Sequence, residues 1–206
     1  IGIITAASLT LVPDVLDRAV AWMAVDSPEA ALTSLRAMEA ASGDAIESFE
    51  LIPESSLRLV LQHIPGTRAP LEGHAPWHVL VEYVRSSPSA SAPNEALEQM
   101  LAGELEAGRI LDAAIAASEA QAQAFWKIRE SISEAERTHG PAMQHDISVP
   151  VDDMPRFIAE ASAEVERAFP GVWVNAYGHL GDGNVHFHVR APEGCTDPNW
   201  RVTTGK

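Results

Sequence analysis

Stretches with the apolar period of a strand alternate along the chain with stretches that have the period of a helix. Alternating apolar and polar positions, together with β-branched and aromatic residues, indicate strands. The predicted strands cover residues 18–25, 45–52, 78–85, 109–117, 145–149, 172–177 and 185–189. The predicted helices cover residues 28–43, 94–107 and 119–138, with a short one beginning near residue 54 and another within residues 151–169. This succession predicts an α+β protein.

The strands alternate instead of running continuously apolar, which favours a largely antiparallel sheet over a parallel doubly wound one. We therefore predict one sheet covered by helices on one face. A Ser- and Pro-rich connector at residues 86–93 has the composition of a poorly ordered surface segment. It divides the chain into halves, residues 1–85 and 94–206, which suggest a ferredoxin-like duplication, although the halves show no convincing sequence repeat.

Three of the eight histidines lie at one predicted hairpin near the end of the chain. The segment Gly181-Asp182-Gly183-Asn184 supplies residues that tolerate positive φ, as a tight hairpin requires. In the strand that follows, the period of two places the apolar residues on the core face and His186 and His188 on the other. If the ladder pairs His179 opposite His186, all three imidazoles share that face.

Neutral imidazole is a common ligand of zinc, iron and manganese, and ligands on adjacent strands can reach one ion. The hairpin is therefore a candidate metal site. The alternative is a structural role, in which His188 is a partly exposed strand residue and His179 and His186 bond to backbone at the turn. A phosphate-binding loop is disfavoured, because no Lys-Ser/Thr pair follows the glycines and they lead into a strand, not a helix.

Composition narrows the class of protein. The chain has 206 residues, of which 46% are hydrophobic, enough for a substantial core. The formal net charge of -15 argues against nucleic-acid binding and disfavours an anionic membrane surface. No apolar run approaches the roughly 20 residues that span a bilayer, and no signal peptide is visible, so we expect a soluble chain. Cys195 is the only cysteine, which excludes an internal disulfide.

Three motifs occur in order along the second half of the chain: Phe125-Trp126-Lys127-Ile128-Arg129-Glu130-Ser131-Ile132, His145-Asp146-Ile147-Ser148-Val149-Pro150 and Gly178-His179-Leu180-Gly181-Asp182-Gly183-Asn184-Val185-His186-Phe187. Together they resemble the C-terminal domain of the FAD-linked oxidase family, which includes D-lactate dehydrogenases, D-2-hydroxyglutarate dehydrogenases and the flavin subunit of glycolate oxidase. The resemblance implies a substrate (cap) domain, here residues 1–206, that lies over the flavin of a preceding FAD-binding domain. We expect that domain and an extreme C-terminal segment to be absent from this chain.

The resemblance also implies a metal site. In the metal-dependent members, the histidines that match His179 and His186 bind a divalent ion, for which zinc and manganese are the candidates here. A glutamate in a later Glu-His-Gly segment completes that site. This sequence contains no such segment, so two ligands alone are expected to hold the metal weakly.

Arg129 and Ser133 are four residues apart on a predicted helix, so their side chains share a face. A guanidinium binds a carboxylate through two parallel hydrogen bonds. Spacing alone also allows an exposed Arg129 that pairs with Glu130 or Glu134. In the family the matching arginine and hydroxyl residue contact the substrate carboxylate, and the resemblance therefore implies that Arg129 and Ser133 bind substrate.

Two positions of the inferred pocket depart from the family pattern. Gln144 stands where lysine is common, and it brings no charge to the substrate carboxylate. His188 stands where many relatives have asparagine. We expect both residues to bind substrate. His188 is a candidate catalytic base, and the Glu-His-Gly segment that the resemblance implies is an equally good candidate. The substrate preference should therefore differ from that of the best-known members, with a weaker demand for a second carboxylate.

The resemblance implies an FAD-dependent oxidoreductase that acts on the CH–OH group of a small 2-hydroxy acid of the D-lactate, D-2-hydroxyglutarate or glycolate type. Hydride would pass from C2 to the flavin. FAD would be bound mainly by the enzyme's own flavin-binding domain, so its contacts in this chain are not assigned and the chain alone is expected to be inactive.

Two other functional classes stay open at this point. One is a non-catalytic α+β module that binds a metal or a small molecule. The other is a zinc hydrolase built on His179, His186 and His188, with Asp182 nearby. The default location is the cytoplasm, with peripheral membrane association left open, and the electron acceptor and a homodimeric state are likewise unassigned.

Overall fold

A computed structural model describes residues 2–9, 14–43, 45–87, 91–197 and 200. The strands are β1 (Asp17–Val25), β2 (Ile46–Pro53), β3 (Trp77–Arg85), β4 (Asp112–Ile115), β5 (Ala142–Ser148), β6 (Trp173–His179) and β7 (Asn184–Arg190). The helices are α1 (Pro28–Ser42), α2 (Glu54–His63), α3 (Pro93–Glu106), α4 (Glu119–Glu130), α5 (Ile132–His139) and α6 (Met154–Ala168).

The strands of the described residues form one seven-stranded antiparallel sheet in the order β4-β1-β3-β2-β6-β7-β5. The predicted α+β class with a largely antiparallel sheet is confirmed. The first four strands have the spatial order 4-1-3-2. The unit β5-α6-β6-β7 has the order β5-β7-β6, which repeats the first three strands of that arrangement. Strand order therefore supports a ferredoxin-like duplication that the sequence repeat did not reveal.

The two strand units divide at a different place from the predicted connector. β4 pairs with β1, so α3 and β4, which follow the connector in sequence, belong to the first unit. The units separate after β4 because the hydrogen-bonded partner of a strand, not the composition of a linker, decides where that strand lies. Residues 88–90 of the connector lie outside the described residues, so the prediction that they are poorly ordered is not tested.

Helices cover both faces of the sheet, which corrects the prediction that they lie on one face. One hydrophobic cluster includes residues of α1, α3 and α6, and a second includes residues of α2, α4 and α5. The reason is visible in β1, where every residue from Ala19 to Val25 is buried. Met23 belongs to the first cluster and its neighbour Trp22 to the second. A central strand that is apolar on both sides needs a helical layer on each.

The ends of α1 lie where the capping residues predict them. The Ser27 hydroxyl accepts a hydrogen bond from the Ala30 N–H at 3.1 Å, and Gly43 ends the helix with φ 64°. By contrast, β4 is shorter than the predicted strand at residues 109–117. Arg109 lies in the turn after α3, where its N–H donates to the Glu104 carbonyl at 3.0 Å and its guanidinium pairs with the Glu104 carboxylate at 2.7 Å.

The predicted long helix at residues 119–138 is two helices, α4 and α5, which meet at Ser131 with φ -83° and ψ -2°. Two hydrogen bonds carry the helical pattern through this joint. The Ser131 N–H donates to the Lys127 carbonyl, and the Ala135 N–H donates to the Ser131 carbonyl. Side chains on either side of the joint therefore keep nearly the relation that one continuous helix would give them.

The glycine- and histidine-rich segment forms the predicted hairpin of β6 and β7. A hydrogen bond from the Gly183 N–H to the His179 carbonyl closes the turn between them. The register places His186 opposite Tyr177 and His179 opposite Asn184, so the direct pairing of His179 with His186 that the sequence left as a condition does not occur. The turn spans residues 180–183, which shifts the pairing by two residues. A shift of two preserves the alternation, so both histidines still share a face.

Gly183 is the turn residue that needs to be glycine. Its φ is 78°, and a Cβ built there would lie 2.0 Å from the Val149 carbonyl oxygen. The backbones approach this closely because the Val149 N–H donates to the Gly183 carbonyl at 3.0 Å. Gly181 has no such constraint, since a Cβ there would have its nearest neighbour, Phe49 Cβ, at 4.0 Å. Neither Asp182 nor Asn184 adopts positive φ.

Gly183→Ala is expected to destabilise the protein by about 2–4 kcal/mol. The left-handed backbone alone costs an L-residue about 1–2 kcal/mol, and the contact with Val149 adds to that cost. The matched control, Gly181→Ala, should change the free energy of unfolding by no more than about 0.5 kcal/mol. Thermal and urea unfolding measure both. Equal stabilities of the two variants would contradict the close approach of the turn to Val149.

Candidate active site on the histidine face

The polar face of the hairpin points toward the side of the sheet that carries α4 and α5, at the boundary between the two strand units. Two rows of side chains cross it: Gln144, His188 and Asn175 are paired across β5, β7 and β6, and Asp146, His186 and Tyr177 form the next row. His179 follows one step further along β6, where it pairs with Glu50 of β2. Directly paired residues of an antiparallel sheet point to the same side, so the predicted hairpin residues share one face.

Glu50 joins two of the predicted site residues. Its Oε1 lies 2.6 Å from His179 Nδ1, and its Oε2 accepts a hydrogen bond from Arg129 Nε at 2.8 Å. The carboxylate is buried, and Arg129 is only 8% exposed. The alternative in which Arg129 is a surface residue paired with Glu130 or Glu134 is therefore wrong. Glu50 instead holds the arginine against the sheet at the seam between the strand units.

Tyr177 lies at the centre of the site. The Arg129 guanidinium carbon lies 5.1 Å from the centroid of the tyrosine ring, and Ser133 Oγ lies 2.9 Å from the phenol oxygen. The ring centroids of His186 and His188 are 5.0 and 5.3 Å from that of Tyr177. Burial raises the pKa of Tyr177 to about 12, so the phenol stays neutral at physiological pH. The predicted pairing of Arg129 with Ser133 on one face is thus observed, with Tyr177 as their common neighbour.

Carboxylates hold the Nδ1 atoms of the two candidate metal ligands. His179 Nδ1 faces Glu50, and His186 Nδ1 lies 2.5 Å from Asp146 Oδ1. The two imidazole centroids are 5.6 Å apart. Burial lowers the pKa of His186 despite its contact with Asp146, which favours the neutral imidazole. In each ring the other nitrogen, Nε2, has no hydrogen-bond partner among the described residues and is not sealed from solvent.

Among the described residues, no three His, Cys, Asp or Glu side chains are arranged to hold one metal ion. His188 uses its Nδ1 to contact Glu136, and its ring centroid lies 6.3 Å from that of His186. A catalytic zinc site usually has three protein ligands. A zinc hydrolase built on three histidines therefore has no support in this part of the chain, and His179 and His186 are left as a candidate pair of ligands.

Gln144 and His188 face each other across β5 and β7 but differ in exposure. His188 is buried, whereas Gln144 is exposed at the rim of a cavity of about 640 Å³ that Glu136 and Arg190 also line. The structure therefore brings Gln144 next to His188, at the edge of the site and away from Arg129. This arrangement separates a charged end of the site, at Arg129, from an end where Gln144 is the exposed polar group.

Sequence reasoning missed Tyr177, Glu50 and Glu136. The strand period could have found Tyr177, because it lies two residues before His179 and so shares its face. No local signal marks the two glutamates. Glu50 is 129 positions from His179 in sequence, and Glu136 is 52 positions from His188, so only the folded sheet reveals those contacts.

Comparison with known proteins identifies the family. Residues 16–199 match the family described as FAD linked oxidases, C-terminal domain. The chain belongs to this family.

Relatives in the FAD-linked oxidase family include D-2-hydroxyglutarate dehydrogenases. The chain is 31% identical over 193 residues to the mitochondrial D-2-hydroxyglutarate dehydrogenase of Arabidopsis thaliana, covering 94% of this chain and 34% of that protein. It is 33% identical over 155 residues to the D-2-hydroxyglutarate dehydrogenase of Xanthomonas citri pv. viticola, covering 75% of this chain and 32% of that protein. The chain thus spans about a third of the length of these relatives.

The fold of this FAD-linked oxidase domain also has a solved counterpart. An alkyldihydroxyacetonephosphate synthase superposes with a TM-score of 0.50 at 8% identity, covering 87% of this chain and 37% of that chain. At that identity the likeness concerns the fold alone. None of the helices in the described part of the chain combines the length and apolar content that crossing a membrane requires.

Glu50→Ala is expected to lower the free energy of unfolding by about 3–5 kcal/mol, because it leaves the buried Arg129 guanidinium without its carboxylate. The double variant Glu50→Ala/Arg129→Met should lose less, since no unpaired buried charge remains. Glu47→Ala, an exposed position on the same strand, is the control. Urea unfolding measures all three. If Glu50→Ala lowers the free energy of unfolding no more than Glu47→Ala does, the ion pair between Glu50 and Arg129 is contradicted.

Proposed function

We propose that this chain forms the substrate side of an FAD-dependent dehydrogenase of 2-hydroxy acids. One observation carries the proposal: in a chain of the FAD-linked oxidase family, Arg129 is stacked on Tyr177 next to a pair of carboxylate-held histidines on the same sheet face. A cation that suits a carboxylate thus lies beside two nitrogen donors that suit a metal. A 2-hydroxy acid presents a carboxylate and a hydroxyl group on adjacent carbons, which fits that arrangement.

Arg129 has a donor to offer to a carboxylate. Its Nε is used by Glu50, whereas its Nη2 is buried without a hydrogen-bond partner among the described residues. An unpaired buried donor costs about 1–3 kcal/mol, a cost that a bound carboxylate would remove. Ser133 is placed to help, because it follows the α4–α5 joint on the same helical face as Arg129 and its hydroxyl contacts the Tyr177 phenol. We assign Arg129 and Ser133 to carboxylate binding.

His179 and His186 fit a divalent ion such as zinc or manganese. A metal-binding imidazole usually donates its second N–H to a carboxylate, and Glu50 and Asp146 occupy those positions here. An ion at the Nε2 atoms would polarise the substrate hydroxyl and make it more acidic. A third ligand from a Glu-His-Gly segment, which the family resemblance implies, stays a prediction.

FAD, which membership of this family associates with the chain, would accept hydride from C2 of the acid. The residues of this chain would hold the acid still and take the proton of its hydroxyl group. His188 is our candidate for the proton acceptor, since its Nδ1 is held by Glu136 and its ring lies beside Tyr177. The cap-domain role, with FAD bound mainly by a flavin-binding domain outside this chain, is part of the same proposal.

The relatives suggest a substrate of the D-2-hydroxyglutarate type. Gln144 nevertheless offers no charge at the far end of the site, so a weaker demand for a second carboxylate than in a lysine-bearing enzyme stays a prediction. The Arabidopsis relative carries the word mitochondrial in its name, whereas the Xanthomonas relative does not. A cytoplasmic location for this protein is therefore only proposed, and the electron acceptor and a homodimeric state stay unassigned.

The test of the function is anaerobic reduction of the flavin in the full-length protein by D-2-hydroxyglutarate, D-lactate or glycolate. Arg129→Met is expected to lower kcat/KM by about 10- to 100-fold, the worth of a charged hydrogen-bonding partner. Lys127→Met is the control, because this neighbour on α4 donates to the Pro65 carbonyl instead. If none of the three acids reduces the flavin, a non-catalytic binding module is the better description.

The metal assignment has its own test, by calorimetry with Zn²⁺ and Mn²⁺ on the full-length protein. His186→Ala should abolish measurable binding, and Asp146→Asn, which changes only the Nδ1 side, should weaken it by about 10- to 100-fold. His145→Ala is the matched control, because it is exposed on β5 and paired with Phe187, on the face opposite His186. Unchanged affinity in His186→Ala would rule out the pair of ligands.

A further inference from the structure

Glu136 is a buried carboxylate that the proposed function leaves without a role. It lies on α5 with 0% exposure, among apolar neighbours of the same helix such as Ile132 and Ala135. An apolar side chain at this position would avoid the cost of removing a carboxylate from water. The presence of Glu136 therefore calls for a role that an apolar residue cannot fill.

The Glu136 side chain is tied to both strands of the hairpin. Its Oε2 lies 2.5 Å from His188 Nδ1, and its Oε1 accepts a hydrogen bond from Asn175 Nδ2 at 2.7 Å. Arg190 Nη1 lies 3.5 Å from Oε1, and Arg190 Nη2 donates to the Glu136 backbone carbonyl at 3.0 Å. All of these residues are buried. The network thus ends at His188, the candidate proton acceptor of the site.

Asn175 fixes which oxygen of Glu136 faces the histidine. The Ser55 hydroxyl donates to Asn175 Oδ1 at 2.7 Å, and Asn175 Nδ2 donates to Ser56 Oγ at 2.8 Å as well as to Glu136. The amide is therefore held at both ends by the first turn of α2. Glu136 Oε1 accepts the hydrogen bond from the Asn175 amide and faces the Arg190 guanidinium, which leaves Oε2 for His188.

This arrangement determines the tautomer of His188. An ionised carboxylate has only acceptors, so the proton between Oε2 and Nδ1 belongs to the ring. Nε2 then carries a lone pair. No hydrogen bond joins Nε2 to another described residue, and the ring lies edge-on to Tyr177 with centroids 5.3 Å apart. Nε2 is thus a hydrogen-bond acceptor at the centre of the site.

We propose that Glu136 is a positioning residue of the substrate site, which keeps the proton of His188 on Nδ1 and so presents Nε2 as an acceptor to the hydroxyl group of a 2-hydroxy acid. The identity of the substrate rests on the proposed function, whereas the tautomer of His188 rests on the geometry of the network. A hydroxyl group must donate when it loses its proton, so only this tautomer of a neutral His188 can receive that hydrogen bond.

Glu136→Gln tests the idea with little change in shape. The glutamine carbonyl would accept from Asn175 and face Arg190, so its amide N–H would donate to His188 Nδ1. The ring proton then moves to Nε2, and the acceptor becomes a donor. With D-2-hydroxyglutarate as the probe, kcat/KM of the full-length FAD-bound protein should fall about tenfold or more. This is the effect expected when a hydrogen bond between the substrate hydroxyl and Nε2 is replaced by two donors that face each other. Glu134→Gln, exposed on the same helix, should leave kcat/KM unchanged.

A double-mutant cycle separates positioning from general loss of structure. Asparagine has no tautomers, so Glu136→Gln should cost little in a His188→Asn background, and the two changes should be strongly non-additive in kcat/KM. Additive effects would overturn the proposal, because they would mean that Glu136 acts on turnover without His188.

A second readout does not depend on turnover. Nitrogen-15 NMR of the histidine rings in wild type, with His188 assigned by its loss in His188→Asn, should show Nδ1 protonated and Nε2 bare. In Glu136→Gln the two signals should exchange. A wild-type ring protonated on Nε2, or an unchanged pattern in Glu136→Gln, overturns the proposal. If no acid reduces the flavin, the proposed function fails while the tautomer is still decided by these spectra.

Discussion

The rest of the structure depends on one buried carboxylate at a narrow seam. β2 and β6 are the strands that join the two units of the sheet, and they pair only through Glu50 with His179 and Leu51 with Gly178. Glu50 adds side-chain bonds to His179 and Arg129 at this point. A displacement of one unit against the other would break these bonds and leave the buried Glu50 carboxylate without its partners. The seam and the site are therefore held by the same interaction.

A second regularity is that each histidine of the face has a carboxylate at Nδ1: Glu50 for His179, Asp146 for His186 and Glu136 for His188. This pairing bears on the proposed anionic substrate of a chain whose formal charge is -15. Several of the acidic side chains near the site are already engaged by imidazole, guanidinium or amide groups. Net charge then says little about the local electrostatic field of the site. The Arg129 guanidinium, which is stacked on Tyr177, makes that local field favourable to an anion.

The hairpin was predictable because its information is local. Strand alternation and the turn glycines placed β6, β7 and their two faces, and the capping residues placed α1. The errors arose where distant segments decide the outcome. The register of the hairpin depends on a turn that is held against Val149. The second helical layer depends on the burial of β1 from both sides. The division into two strand units depends on the pairing of β4 with β1. The partners Glu50 and Glu136 come from other elements, so no spacing in the sequence could have indicated them.

The Glu50 carboxylate couples Arg129 electrostatically to His179. Glu50 carries one negative charge and divides it between Arg129 and His179 through its two oxygen atoms. A substrate carboxylate at Arg129 would supply that arginine with a second anionic partner and so leave more of the Glu50 charge to His179. A cation held at His179 would be favoured by the same change, because the imidazole facing it becomes a better donor. In the proposed function, a carboxylate at Arg129 and a cation at His179 would therefore each favour binding of the other, through Glu50, which would contact neither ligand.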